Sequence, residues 1–294
     1  MKIKNKLCIG TAQLGQTYGP QKSKKIISLS ELYKLIKYLK KNKIKYLDTA
    51  LNYNFDKRIK SINVSLKGIK VITKIPSPKK IKFDYKKKII SDMKNTLSNL
   101  NIKSFYAVLL HDSKNLKKND YLEFLSLIKL LKKKKLIKYY GISIYSQSEY
   151  DTFRKYGKPE IVQGPLNIFD QTLIKSNFLS KLKKNGIKFH ARSIFLQGLL
   201  TVNHSKFRNY FKKWKKILTE WNNFCQIQGF TSLEVATNFV LNKNLVDKIV
   251  VGFHDKKELE QFLSIKTNLN INNVNFKPKN SLHNSNLIKP YKWQ

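Results

Sequence analysis

The chain has 294 residues, 41% of them apolar, enough for one sizeable core, and its longest apolar runs are only a few residues. With an amino-terminal MKIKNKL that lacks an apolar stretch, neither a membrane-spanning helix nor a secretory signal is expected, and the protein reads as cytoplasmic. The net charge of +41 would suit a nucleic-acid surface, but only four of the 59 basic residues are arginine (Arg58, Arg154, Arg192 and Arg208), so lysine runs such as KLLKKKKLIK read as solvated helix faces and no specific nucleic-acid partner is expected.

In chain order, short apolar runs ended by turn residues predict strands over residues 6 to 11, 46 to 49, 69 to 75, 104 to 110, 138 to 144, 160 to 163, 187 to 193 and 247 to 251. Lysine-rich amphipathic patterns lie between them. In SLSELYKLIKYLKKN, Ser30 is the expected cap and Leu32, Leu35, Ile36 and Leu39 form the apolar stripe. YKKKIISDMKNTLSNL, NDYLEFLSLIKLLKKK and SLEVATNFVLNK read as further helices. Eight strand-helix units without a long polar break predict an α/β fold of the (β/α)8 TIM barrel type, one domain across residues 1 to 294. An open dinucleotide-binding sheet is disfavoured, because GTAQLGQTYG stands after the first strand where GxGxxG would be needed.

The connection over about 199 to 230 is longer than the rest. It contains NYFKKWKKILTEWNNFC, whose Phe211, Trp214, Leu218 and Trp221 are expected to dock a helix on the barrel. The Asn- and Lys-rich tail, about 268 to 294, is expected to lie over the barrel and reach the site mouth through Tyr291 or Trp293. Cys8 and Cys225 show no metal-type spacing and read as buried thiols; no metal site is expected.

Three of the runs, YLDTALNY, VITKIP and YAVLLH, carry Asp48 and Tyr53, Lys74, and His111 at or just beyond the carboxyl ends of successive strands. In a parallel barrel those ends share the face on which chemistry takes place. These pieces, together with IGTAQLGQTYG, IKYYGISIY, IVQGPLNIFDQ, ARSIFLQGLL and IVVGF, resemble the aldo-keto reductases over nearly the whole chain. AQLGQTYG with ARSIFLQGLL resembles the bacterial branch associated with surface-polysaccharide genes.

The resemblance implies reduction of an aldehyde or ketone by hydride transfer from NADPH, with NADH as the alternative. A carbonyl that accepts hydride develops negative charge on oxygen, so the site must supply a proton and hydrogen bonds there. Tyr53 would be the general acid. Lys74 would favour its ionised form, Asp48 would hold Lys74, and His111 would orient the carbonyl oxygen. For the cofactor the implied residues are Gly10 and Thr11 after the first strand, Ser143 and Gln163 at the carboxamide, and Arg192 stacked on the nicotinamide ring. Gly198 and Leu199 would offer amides to the pyrophosphate, Gly252 would sit beside the adenosine phosphate at the following helix, and Lys256 would meet a 2′-phosphate.

The chain departs from its relatives at three places. Ile144 replaces an asparagine beside the serine, Arg192 replaces a tyrosine, and YNFDKR has Asn54 and Lys57 where a glycine and a glutamate are common. The expected partner is a small carbonyl compound, a sugar or nucleotide-linked sugar by the branch resemblance, with the chain a monomer or weak homo-oligomer. The rival reading is a catalytically weak NADPH-binding barrel with a regulatory role, supported by the altered loop after Tyr53.

Overall fold

The computed structural model describes residues 2–17, 26–81, 83–201, 209–267, 269, 276 and 286–293. Strands form where β-branched and apolar residues run together: β1 (Leu7–Gly10), β2 (Tyr46–Asp48), β3 (Lys70–Ile75), β4 (Phe105–Leu110), β5 (Ile137–Ser143), β6 (Ile161–Pro165), β7 (Lys188–Arg192) and β8 (Lys248–Gly252). Each pairs in parallel with its sequence neighbour, and β8 returns to β1 through Leu7 with Ile249 and Gly10 with Gly252, so the eight strands close into a barrel. This is the expected (β/α)8 TIM barrel.

Parallel strands buried on both faces need no polar alternation. Inside the barrel, Cys8, Ile72, Ala107, Leu109 and Ile161 form a small core, while Leu7, Ile9, Val71, Val108, Leu110 and Val162 belong to the larger core under the helices.

The helices are α1 (Lys2–Lys6), α2 (Ala12–Gly15), α3 (Leu29–Lys41), α4 (Phe55–Ser61), α5 (Tyr85–Leu100), α6 (Lys118–Lys133), α7 (Gln147–Arg154), α8 (Thr172–Lys175), α9 (Phe178–Lys184), α10 (Lys215–Ile227), α11 (Ser232–Leu241) and α12 (Lys256–Ser264). In α3 the expected stripe of Leu32, Leu35, Ile36 and Leu39 is fully buried. Its cap is Ser28, not Ser30: the extended Ser28 accepts from the Glu31 amide at 3.2 Å, which starts the helix early enough to take Ser30 into its first turn.

Further boundaries shift. Residue 6 belongs to α1, so β1 starts one residue late, and β6 runs on to Pro165. Asn209–Trp214 is a 3₁₀ segment ahead of α10 where one continuous helical pattern was expected. The docking function of this stretch holds. Phe211, Leu218 and Trp221 are buried, and the Trp221 indole donates to Leu200 O at 3.0 Å, fastening α10 to the segment after β7. In the tail, Trp293 packs edge-on against Phe211 with ring centroids 4.9 Å apart and donates to Asn286 O. The expectation for Tyr291 falls on a side chain outside the described residues. No helix among the described residues is long and apolar enough to cross a membrane.

Candidate active site

Asp48, Lys74 and Ser143 lie on the carboxyl-terminal halves of β2, β3 and β5, and His111 follows the last residue of β4. Parallel pairing sends all these ends to one mouth. Asp48 and Lys74 are 3% and 4% exposed and form a close ion pair; Lys74 Nζ also donates to Thr49 O at 3.2 Å. The second Asp48 oxygen accepts from Gln163 Nε2 at 2.8 Å. Burial alone would pull the Lys74 ammonium down, yet Asp48 and Tyr53 outweigh it and hold the group above the ordinary lysine value.

Tyr53 follows β2 by five residues and is turned back over the mouth by short bonds: Thr49 N to Ile72 O (2.8 Å), Leu51 N to Lys74 O (3.1 Å) and Tyr53 N to Ala50 O (3.1 Å). Lys74 Nζ lies 5.5 Å from the Tyr53 ring centroid, and the His111 ring stands edge-on to Tyr53 at 5.9 Å. The four expected catalytic side chains are thus brought together.

In their electrostatics Lys74 acts on Tyr53 in the expected direction, against a larger effect of burial. Burial raises the Tyr53 phenol above its ordinary value, and the lowering by Lys74 does not overcome it. The phenol therefore stays protonated. His111 is pushed down to about 4 by burial and by Lys74, which leaves a neutral imidazole able to donate a hydrogen bond at neutral pH.

Sequence reasoning missed the residues that hold Tyr53 in place. A Cβ on Gly15 would run into the Tyr53 carbonyl, so α2 can approach the loop that carries Tyr53 only with glycine there. Arg58 ties α4 to α2 through Leu14 O at 2.7 Å, with a second bond to Ile27 O. Asn54, the residue found where glycine was expected, has φ +56°, the left-handed region that asparagine tolerates better than most side chains. The only sequence signal was the AQLG stretch, whose glycine had no stated task.

The expected cofactor residues divide. Ser143 is buried at the end of β5, and Thr11 donates through both its amide and hydroxyl to Asp48 O. Gln163 turns its amide nitrogen to Asp48, and its buried Oε1 has no partner among the described residues. That open acceptor fits an N–H donor such as a carboxamide. Arg192 stacks at 4.2 Å on the ring of Tyr145 and donates to Ile144 O at 3.0 Å, so the two departures from the relatives touch each other.

Gly198, at φ +91°, donates to Phe195 O and Leu199 to Leu196 O, inside a run of turns. Gly10 and Gly252 are paired at the ends of β1 and β8, and the Gln13 side chain covers Gly252. At the start of α12 two of the amides are already engaged: Asp255 accepts from Glu258 N and Glu258 from His254 N, both at 2.8 Å. Lys256 pairs with Glu260 at 3.1 Å.

The aldo/keto reductase family model matches residues 6–277. The chain belongs to the aldo/keto reductase family, a class of oxidoreductases that act on small carbonyl compounds with nicotinamide cofactors. Among solved structures it resembles the glycerol dehydrogenase of Gluconobacter oxydans, at 18% identity and TM-score 0.69 over 92% of this chain and 89% of the other. It also resembles the holo form of an aldo-keto reductase from Bacillus halodurans, at 17% identity and TM-score 0.66 over 97% and 91%. A thermostable aldo-keto reductase in complex with the inhibitor epalrestat aligns at 20% identity and TM-score 0.65 over 88% and 90%. Curated proteins searched by sequence give no match.

Proposed function

We propose that the protein reduces the carbonyl group of an aldehyde or ketone to an alcohol, with Tyr53 as proton donor. The observation that carries this reading is the buried Asp48–Lys74 pair set under the Tyr53 ring, with neutral His111 beside it. A reduced nicotinamide bound at this mouth supplies the hydride. Tyr53 gives its proton to the oxygen on which charge develops, and His111 donates a hydrogen bond to the same oxygen. Lys74 steadies the phenolate left behind, and Asp48 keeps the ammonium in place. Gln163 Oε1, Ser143 and Thr11 are the groups we assign to the nicotinamide end, and Arg192 to the edge of the same pocket.

Lys256 remains the candidate partner of a 2′-phosphate, but Glu260 holds its ammonium and Asp255 caps the helix. Discrimination between NADPH and NADH should accordingly be modest, and Lys256→Ala should weaken NADPH binding by less than about tenfold. A sugar or nucleotide-linked sugar is the substrate class placed first, on the branch resemblance and on a cationic surface that draws phosphate-bearing molecules.

The test is loss of reduced-nicotinamide absorbance with a panel of aldehydes, ketoses and nucleotide-linked sugars, each with NADPH and with NADH. Turnover with at least one class supports the reading. Tight cofactor binding without turnover across the panel would replace it by that of a binding or regulatory barrel.

A further inference from the structure

The amino ends of the strands form a second cluster of chemistry, at the mouth opposite the catalytic groups. Tyr46 and Lys70 open β2 and β3, Tyr106 and Tyr139 lie near the starts of β4 and β5, and Lys188 and Lys248 open β7 and β8. The three phenols form a chain, with ring centroids 5.4 Å apart for Tyr46 and Tyr106 and 5.0 Å for Tyr106 and Tyr139. The ammonium groups meet over it. Lys248 Nζ stands 3.9 Å from the Tyr46 centroid, Lys70 Nζ donates to the Tyr46 hydroxyl at 3.2 Å, and Lys188 Nζ reaches the Tyr106 hydroxyl at 3.5 Å.

Three cations are gathered here, and among the described residues none makes an ion pair with a carboxylate. The nearby Asp247 accepts from the Phe189 amide at 2.8 Å and opposes the charge of Lys248 in part, and Lys248 Nζ also donates to Asn5 O. Beneath them His190 is 1% exposed, and its Nδ1 has no partner among the described residues. Burial and the neighbouring lysines push the His190 imidazole down to about 3, and burial and Lys70 are among the causes that lower the Lys248 ammonium. Three ammonium groups against the single carboxylate of Asp247 leave an excess of positive charge, which an anion would stabilise.

We propose that this mouth of the barrel is a binding site for a small multivalent oxyanion of the phosphate class, held by Lys70, Lys188 and Lys248 with the phenols of Tyr46 and Tyr106. The ammonium groups would surround the anion, and the hydroxyls would donate to its oxygens. The proposal is independent of the catalytic reading, since it uses none of the groups at the other mouth.

The experiment is calorimetric titration of the full chain, first alone and then in the presence of NADPH, with inorganic phosphate at constant ionic strength. Binding of one phosphate per chain is expected, weakened about tenfold in Lys188→Met and in Lys248→Met and unchanged in Lys133→Met, an exposed lysine on α6 that serves as the charge control. A second readout covers variants that fold poorly: in the wild type, phosphate should raise the pH at which the first tyrosine ionises, and Tyr46→Phe should abolish that response. Absence of binding, equal weakening in Lys133→Met, or displacement of phosphate by NADPH would overturn the proposal. Binding of a phosphate monoester in addition would identify the headgroup as the recognised part; binding of inorganic phosphate alone would restrict the site to the free ion.

Discussion

Lys74 is nearly sealed from solvent and survives as an ammonium because Asp48 lies against it. Removing one member of such a pair leaves the other charge stranded, so Lys74→Met should cost about 3–5 kcal/mol in denaturant unfolding. Combining it with Asp48→Asn should restore much of that loss, because the stranded carboxylate is gone. Equal stability of the single and double variants would show that the pair is not coupled. Gly15 acts through Tyr53. A methyl group there collides with the Tyr53 carbonyl, so Gly15→Ala should lower kcat by about ten- to a hundredfold and leave cofactor affinity nearly unchanged, as measured by nucleotide fluorescence and steady-state kinetics. Asp48, Lys74 and His111 were legible from sequence because each lies at or next to the end of a strand-like run, which fixes its end of the barrel, whereas Tyr53, in the loop five residues past β2, was legible only through the resemblance. Gly15 and Arg58 were not, since their work depends on α2 meeting the loop after β2 from a distance of tens of residues in the chain.

The strands were legible because burial on both faces demands unbroken apolar runs, and the helices because lysine marks their outer faces so heavily. Ends were less so. Ser28 and Ser30 are both competent caps, and only the extended backbone at Ser28 decides between them. The 3₁₀ turn at Asn209–Trp214 carries the same apolar spacing as a helix, and contact with the tail through Trp293 is a tertiary matter. The element most exposed to test is α10. Trp221 is fully buried against Phe169 and Phe276 and bonded to Leu200 O, so Trp221→Ala should cost about 3–5 kcal/mol and Trp221→Phe clearly less, read by thermal unfolding. At α11, Thr231 and Glu234 bond reciprocally, and Thr231→Ala should cost about 1 kcal/mol.

Across the molecule, a net charge of +41 sets the response to salt and pH. Like charges repel in the folded chain more than in the expanded one, so added sodium chloride should raise the melting temperature until screening is complete. The two depressed histidines give an acid limit. Their folded values, about 4 for His111 and about 3 for His190, lie below the ordinary 6.5. Above about pH 6.5 neither folded nor unfolded imidazoles are charged, and the stability is fully present. As pH falls below that, the unfolded chain takes up protons that the folded one refuses, and stability declines until the folded values are passed. His190→Gln should make this decline shallower in unfolding curves taken between about pH 6.5 and pH 3.

Single-turnover oxidation of bound reduced nicotinamide by an aldehyde, in the wild type and in Tyr53→Phe, is the most direct test of carbonyl reduction at this site. The phenyl variant should bind the dinucleotide unchanged and transfer hydride about 10²–10⁴-fold more slowly. Equal rates in the two proteins would contradict a proton donated by Tyr53.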